Sequence, residues 1–176
     1  MRKIILNLAV SLDSLIEGPN GEFDWCFTDQ DYGMTPFLES IDTVIFGRKS
    51  YELMLQYEAE PYPGKSKYVF SHQLQTKVLN TQVVAGNVKE VVNQIRRQPG
   101  KNIWLFGGAE LTRDFLNADL VDELQLSIHP IILGQGKPLF IDIQERKHFR
   151  FTDAKTYSSG LVQVFYERDA LLPGKV

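Results

Sequence analysis

A chain of 176 residues with 43% hydrophobic, 11% aromatic and 23% charged residues has ordinary globular composition, long enough for one domain with a substantial core and unlike a disordered chain. Its 19 Lys and Arg against 22 Asp and Glu leave a formal charge of −3 and a pI near 5.6. That balance supplies no general basic field for nucleic acid or an anionic membrane, and leaves room only for a local basic pocket. A single cysteine, Cys26, excludes an internal disulfide and a multi-cysteine metal site; it reads as a small half-buried residue in a reducing, cytoplasmic setting.

No apolar run approaches the roughly 20 residues a membrane-spanning helix needs. Residues 3 to 10 read instead as a buried strand, because Asn7 interrupts the run and Asp13 follows it closely. A turn-rich loop centred on Gly18-Pro19-Asn20-Gly21 comes next, with Asn20-Gly21 as its strongest turn signal. A short helix is expected from Thr35 to Ser40, a strand from Thr43 to Phe46, and a helix from Arg48 to Tyr57. Tyr68 to Phe70 and Gln82 to Ala85 read as strands. Asn87 and Glu90 form a capping box opening a helix with Val88, Val91, Val92 and Ile95 on one side. Asn102 to Phe106 is the next strand, Gly107-Gly108 a turn, and Ala109 to Asn117 a helix.

After Val121 the character changes. Glu123 to Pro130, Phe149 to Tyr157 and Leu161 to Arg168 are strand-like, the last two joined by a turn at Ser158-Ser159-Gly160. The expectation is one α/β domain over 1–176: a three-layer arrangement, with a mostly parallel central sheet, helices on both faces and an antiparallel C-terminal strand or hairpin.

Three strand ends carry candidate chemistry. In Ile103-Trp104-Leu105-Phe106-Gly107-Gly108-Ala109-Glu110-Leu111 a strand runs through two glycines into a helix. Such a turn suits a phosphate at the helix N-terminus, and it serves equally to pack strand tightly onto helix. In Phe46-Gly47-Arg48-Lys49-Ser50 a glycine, two cations and a hydroxyl open another helix, where cations oppose the helix dipole unless an anion lies nearby. Phe70-Ser71-His72 ends a third strand with a hydroxyl and an imidazole. Ligands of open α/β sheets gather beyond the carboxyl ends of the strands, so the three segments are expected to converge on one polyphosphate. His129 and His148 have no second ligand at metal spacing and read as packing residues; no metal site is expected.

The order of these segments, together with Leu8-Ala9-Val10-Ser11-Leu12-Asp13, Leu120-Val121-Asp122-Glu123-Leu124 and Pro130-Ile131-Ile132-Leu133-Gly134, resembles the dihydrofolate reductase-like superfamily. Within it the chain is most similar to the branch named after the C-terminal reductase domain of the bifunctional riboflavin-biosynthesis enzyme RibD. The resemblance implies a dihydrofolate reductase-like fold and NADPH as cofactor, with hydride passed to a planar pyrimidine- or pterin-like substrate. The activity it implies is like that of 5-amino-6-(5-phosphoribosylamino)uracil reductase. It also implies a homodimer, and a length that fits the reductase domain without its companion deaminase.

Carried over residue by residue, Gly47, Arg48, Lys49 and Ser50 match the grip on the adenosine-side phosphates. Ser71 and His72 lie near the 2′-phosphate, with Arg48 as its main cation, because a planar charged fork suits a phosphate. Gly107, Gly108, Ala109, Glu110 and Leu111 match the pyrophosphate turn. Ala9 matches the backbone position that holds the nicotinamide carboxamide, and Ile16 the apolar contact beside it. Trp25 resembles the tryptophan that precedes the proton-donating carboxylate of folate reductases, which makes Asp31, or Asp29, the candidate acid. Phe106 stands where riboflavin-pathway reductases tend to carry a glutamate. Two alternatives accompany this reading: a true dihydrofolate reductase, and a non-catalytic NADPH-binding sensor.

Overall fold

The computed structural model describes residues 1–169. Its strands are β1 (Ile4–Val10), β2 (Leu15–Glu17), β3 (Ile41–Gly47), β4 (Ser66–Phe70), β5 (Thr81–Val84), β6 (Asn102–Gly107), β7 (Glu123–Ile128), β8 (Lys137–Pro138), β9 (Phe149–Thr156) and β10 (Val162–Arg168). Its helices are α1 (Met34–Ser40), α2 (Arg48–Tyr57), α3 (Val88–Arg97) and α4 (Ala109–Asn117). The main sheet has eight strands in the order β5-β4-β3-β6-β1-β7-β10-β9. Neighbours from β5 to β7 run parallel, and β10 and β9 are antiparallel additions.

Strict alternation along the central strands explains why both faces are covered. Ile4 and Leu6, Ile45, Tyr68, Ile103 and Leu105 face one core with Val92 and Ile95 of α3 and Leu111, Phe115 and Leu116 of α4. The residues between them, Ile5, Val44, Phe46, Val69 and Trp104, face a second core with Phe37 of α1 and Tyr51 of α2. Side chains of a strand alternate between faces, so a strand buried on both reads as a continuous apolar run.

Local signals hold in most places. Asn87 Oδ1 caps α3 by accepting from the amides of Lys89 (3.0 Å) and Glu90 (3.2 Å). The hairpin between β9 and β10 closes where the Gly160 amide donates to Tyr157 O at 2.9 Å. The exceptions have physical causes. β7 stops at Ile128 rather than Pro130, because the His129 amide donates to Val10 O and proline then has no amide for the ladder. The Asn20-Gly21 turn spans Gly18 to Glu22, and of its two central residues only Gly21 takes a positive φ (+83°). The two-stranded sheet of β2 and β8 is too short to leave a periodic signal. It is held by contacts distant in sequence: Asp13, oriented by Ser11 Oγ (2.6 Å), accepts from the amides of Gly134 (2.8 Å) and Leu133 (3.2 Å), and the Leu12 amide donates to Ile131 O.

Candidate functional site

The parallel strands β1, β3, β4, β5 and β6 end on the same edge of the sheet, and two cavities open there. The smaller, of about 460 Å³, lies over the ends of β3, β4 and β5 and the start of α4. The larger, of about 720 Å³, runs from the end of β6 across β1 to β7, β10 and β9. Both are bordered by Ser50 and Gly108, where they meet.

The smaller cavity gathers Gly47, Arg48, Lys49, Ser50, Ser71 and His72 from two strand ends, and Gly108, Ala109, Glu110 and Leu111 from a third. Its close approaches depend on glycine. A Cβ on Gly47 would sit 3.3 Å from the Gly107 carbonyl oxygen, and Gly107 itself has φ +102°. Neither α2 nor α4 has a side-chain cap at its N-terminus, so their first amides are free to receive an acceptor. Ser71 Oγ accepts from the amides of Gln73 (3.1 Å) and Leu74 (3.0 Å), which leaves its hydroxyl proton to donate outward. Arg48 departs from the sequence argument that only a bound anion balances it. Its Nη1 lies 2.6 Å from Glu52 Oε2, one turn along α2. Lys137, which the sequence reading missed, also borders this cavity and pairs with Glu17 at 3.1 Å.

The larger cavity has a floor of in-register rows. Ala9 pairs with Ser127, Ser127 with Gln163, and Gln163 with Lys155. The neighbouring row runs Asn7, Gln125, Phe165. On β7 the alternate residues Leu124, Leu126 and Ile128 face the helical core, so Gln125 and Ser127 necessarily face the cavity. That period-two pattern of polar residues was the available signal for them. The helices on this face, α1 and α2, pack on β3 and β4, which leaves β1, β7 and β10 beside them to form the trough.

The loop between β2 and α1 roofs the trough. The Phe27 amide donates to His129 Nε2 at 3.1 Å, Gln163 Nε2 donates to Tyr32 O at 2.8 Å, and Ser159 Oγ lies 2.9 Å from Tyr32 OH. His129 Nδ1 lies 3.1 Å from Ser127 O, so the neutral imidazole donates there and accepts from Phe27. Burial holds His129 below the usual imidazole range. His129 thus proves to be a strut for the roof, where the sequence suggested simple packing.

Ala9 and Ile16 line the larger cavity, as does Gly107. Of the three residues expected around the proton source, only Asp31 lines it. Asp31 is exposed and, two residues before the N-cap Gly33, accepts from Thr35 Oγ1 (2.7 Å) and the Thr35 amide (3.0 Å), bracing the first turn of α1. The Thr35 hydroxyl and amide hold its carboxyl below the usual carboxylate range. Asp29 is instead turned to Tyr32 OH at 2.7 Å. Trp25 stands behind the wall, edge-on to His129 with ring centroids 5.3 Å apart, its indole nitrogen buried without a partner among the described residues. Both displacements follow from the loop's anchoring to His129, which fixes the segment before α1. Cys26 lines the cavity, and its burial pushes the thiol up to about 11, which makes it a poor nucleophile.

Three similarities bear on this geometry. The chain is 48% identical over 178 aligned residues to the Bacillus subtilis protein YyaP, covering 94% of each. Its fold matches that of a putative riboflavin biosynthesis protein from Shewanella sp. PV-4 (TM-score 0.84, 24% identity, 96% of this chain and 99% of that one). It also matches Enterococcus faecalis dihydrofolate reductase complexed with NADP(H) (TM-score 0.70, 16% identity, 95% and 96%). The model of the RibD C-terminal domain matches residues 2–163, nearly the whole chain, and the chain belongs to the RibD C-terminal domain family.

Proposed function

We propose that this protein is an NADPH-dependent reductase of a planar pyrimidine- or pterin-like imine. One observation carries the reading: the residues that the resemblance assigned to the cofactor border two cavities that join at Ser50 and Gly108. The smaller holds cations and free helix amides for phosphates; the larger presents a flat trough. The bound cofactor supplies a hydride to the carbon of a C=N bond, whose nitrogen takes a proton. In this arrangement Arg48 and Lys49 neutralise the phosphates, and Ser71 donates to one. The Gly107-Gly108 turn lets the pyrophosphate approach α4. Ala9 and Ile16 place the nicotinamide over the trough. Titration with NADPH and NADH, followed by tryptophan quenching, tests the cofactor. Binding without preference for NADPH overturns the assignment.

Asp31 is the candidate proton relay, being the carboxylate at the trough's open side. Because asparagine keeps an oxygen to accept from Thr35, Asp31→Asn leaves α1 intact. It is expected to lower kcat about 100-fold while leaving the NADPH Kd unchanged; an unchanged kcat assigns the proton to solvent water. The low carboxyl pKa of Asp31 is the observation that favours the second reading, a non-catalytic NADPH-binding sensor, for which turnover is absent in both forms. A homodimer is part of the proposal too. β9 is the outermost strand of the sheet, almost wholly exposed, with Phe151 55% accessible, and light scattering reads the mass directly.

A further inference from the structure

Cations gather at one of the two cavities. Arg48, Lys49 and Lys137 border the smaller one, together with Glu110 and Asp114. Among the described residues the larger is bordered by a single cation, Lys155, and by two carboxylates, Glu17 and Asp31. Lys155 is exposed and sits over the Phe165 ring, 5.5 Å from its centroid. Asp31 is held ionised by Thr35. Glu17 is already paired with Lys137, so Asp31 is the carboxylate left to oppose Lys155, and no arginine fork lines the cavity for a phosphate or a carboxylate.

What the trough offers instead is aromatic surface and neutral amides. Phe27, Tyr32, Phe37, Tyr62, Trp104 and Phe106 contribute to its walls. Asn7, Gln125, Ser127 and Gln163 lie along its floor. Gln163 is committed on both sides, accepting from Tyr157 OH (2.9 Å) and donating to Tyr32 O and Ser127 Oγ. The amide nitrogen of Gln125 reaches only Glu123 Oε2, at 3.5 Å, and so has donor capacity left.

We infer that the larger cavity takes an uncharged, planar, conjugated heterocycle with amide-like edges and without a phosphate or carboxylate tail, its polar edge meeting Gln125. This rests on the reductase reading and narrows it, because the activity implied by the resemblance has a phosphorylated substrate. An anionic tail in this trough would lose its hydration and meet Asp31, with the exposed amine of Lys155 in return.

The test uses matched pairs of probes at saturating NADP⁺, so that nothing turns over. One pair is 6-methyl-7,8-dihydropterin and 7,8-dihydrofolate; the other is 5-amino-6-ribosylaminouracil and its 5′-phosphate. Calorimetry is expected to give the uncharged member of at least one pair an affinity higher by about tenfold or more, equivalent to about 1.4 kcal/mol. Gln125→Glu is expected to weaken that member at least threefold while leaving the melting temperature in place, since glutamate keeps the oxygen that accepts from Asn7 and loses the amide donor. Equal affinities, tighter binding of the charged members, or binding of no probe overturns the inference. A preference for the phosphate that disappears in Lys155→Ala overturns it by naming the anchor. The NADP⁺ titration in the same experiment reads the reductase proposal separately: cofactor binding with no probe bound sinks the substrate class alone, and absent cofactor binding sinks both.

Discussion

The two cavities share a border at Ser50 and Gly108 and are built on opposite plans. The smaller is made of loop starts: glycine, cations and free helix amides, each within a residue or two of a strand end. The larger is made of strand interiors: aromatic and amide side chains spaced two apart on β1, β7 and β10. The first plan suits a ligand with fixed phosphates, because charge and backbone recognise any phosphate alike. The second suits selectivity, because each floor position can change without disturbing the ladder beneath it. The difference teaches that, on the reductase proposal, a cofactor preference and a substrate preference would be separately adjustable.

Removing the cation from the first plan is the largest perturbation expected to break the comparison. Arg48→Ala should weaken NADPH by about 10- to 100-fold, the range for a lost charge-assisted bond of roughly 1.5–3 kcal/mol. NADH, which lacks the 2′-phosphate, should change little. Equal losses for both, read by fluorescence titration, would mean that Arg48 does not distinguish them. Gly107→Ala comes next. At φ +102° an alanine is strained, at a cost of about 1–3 kcal/mol. Because that turn borders both cavities, cofactor affinity should fall together with the melting temperature. A stable Gly107→Ala protein with normal NADPH affinity would show that the turn has no binding role.

The first plan was largely legible in the sequence and the second was not, for a physical reason. A glycine-cation-hydroxyl run at the head of a helix is contiguous, so Gly47 to Ser50 and Gly107 to Leu111 announce themselves. The trough is assembled from pairs far apart in the chain, such as Asn7 with Gln125 and Ser127 with Gln163. A polar residue alternating on a strand looks the same whether it faces solvent or a cavity. The parallel sheet, its order of helices and the C-terminal hairpin could be read because alternation and turn chemistry are local. The pairing of β2 with β8 could not, since it depends on Asp13 reaching the amides of Leu133 and Gly134. The positions of Trp25 and Asp29 could not be read for the same reason: the anchor that orients their loop, His129, lies 102 residues from Phe27.

That anchor gives a smaller effect, confined to the second plan. His129 is held neutral by burial, its folded-state pKa lying below the usual 6.5. An imidazole with a depressed pKa contributes stability that is full above the unfolded value and is lost as pH falls through the folded one. The melting temperature should therefore decline on going from pH 7 toward pH 5, beyond the loss shared by a His129→Gln variant. Protonation would also turn Nε2 into a donor facing the Phe27 amide, so the roof should loosen in the same range. Hydrogen exchange at Phe27 that stays constant across it would remove His129 as the strut.

The smallest expected effect sharpens the comparison from the cofactor side. Arg48 lies 2.6 Å from Glu52, in an i,i+4 pair whose side chains are 41% and 42% accessible. A pair that exposed contributes about 0.3–0.5 kcal/mol, much less than the charge-assisted bond expected from a 2′-phosphate. Glu52 then acts as a resting partner that is readily exchanged for the ligand. Glu52→Gln removes the competitor and should tighten NADPH by about twofold, the fold-change matching that energy, with no change for NADH. Salt should erase the difference, since both the pair and its competitor are screened at the surface. A Glu52→Gln protein that binds NADPH more weakly would reverse the assignment. The carboxylate would then be orienting the guanidinium toward the phosphate, and Arg48 would depend on its partner to read it.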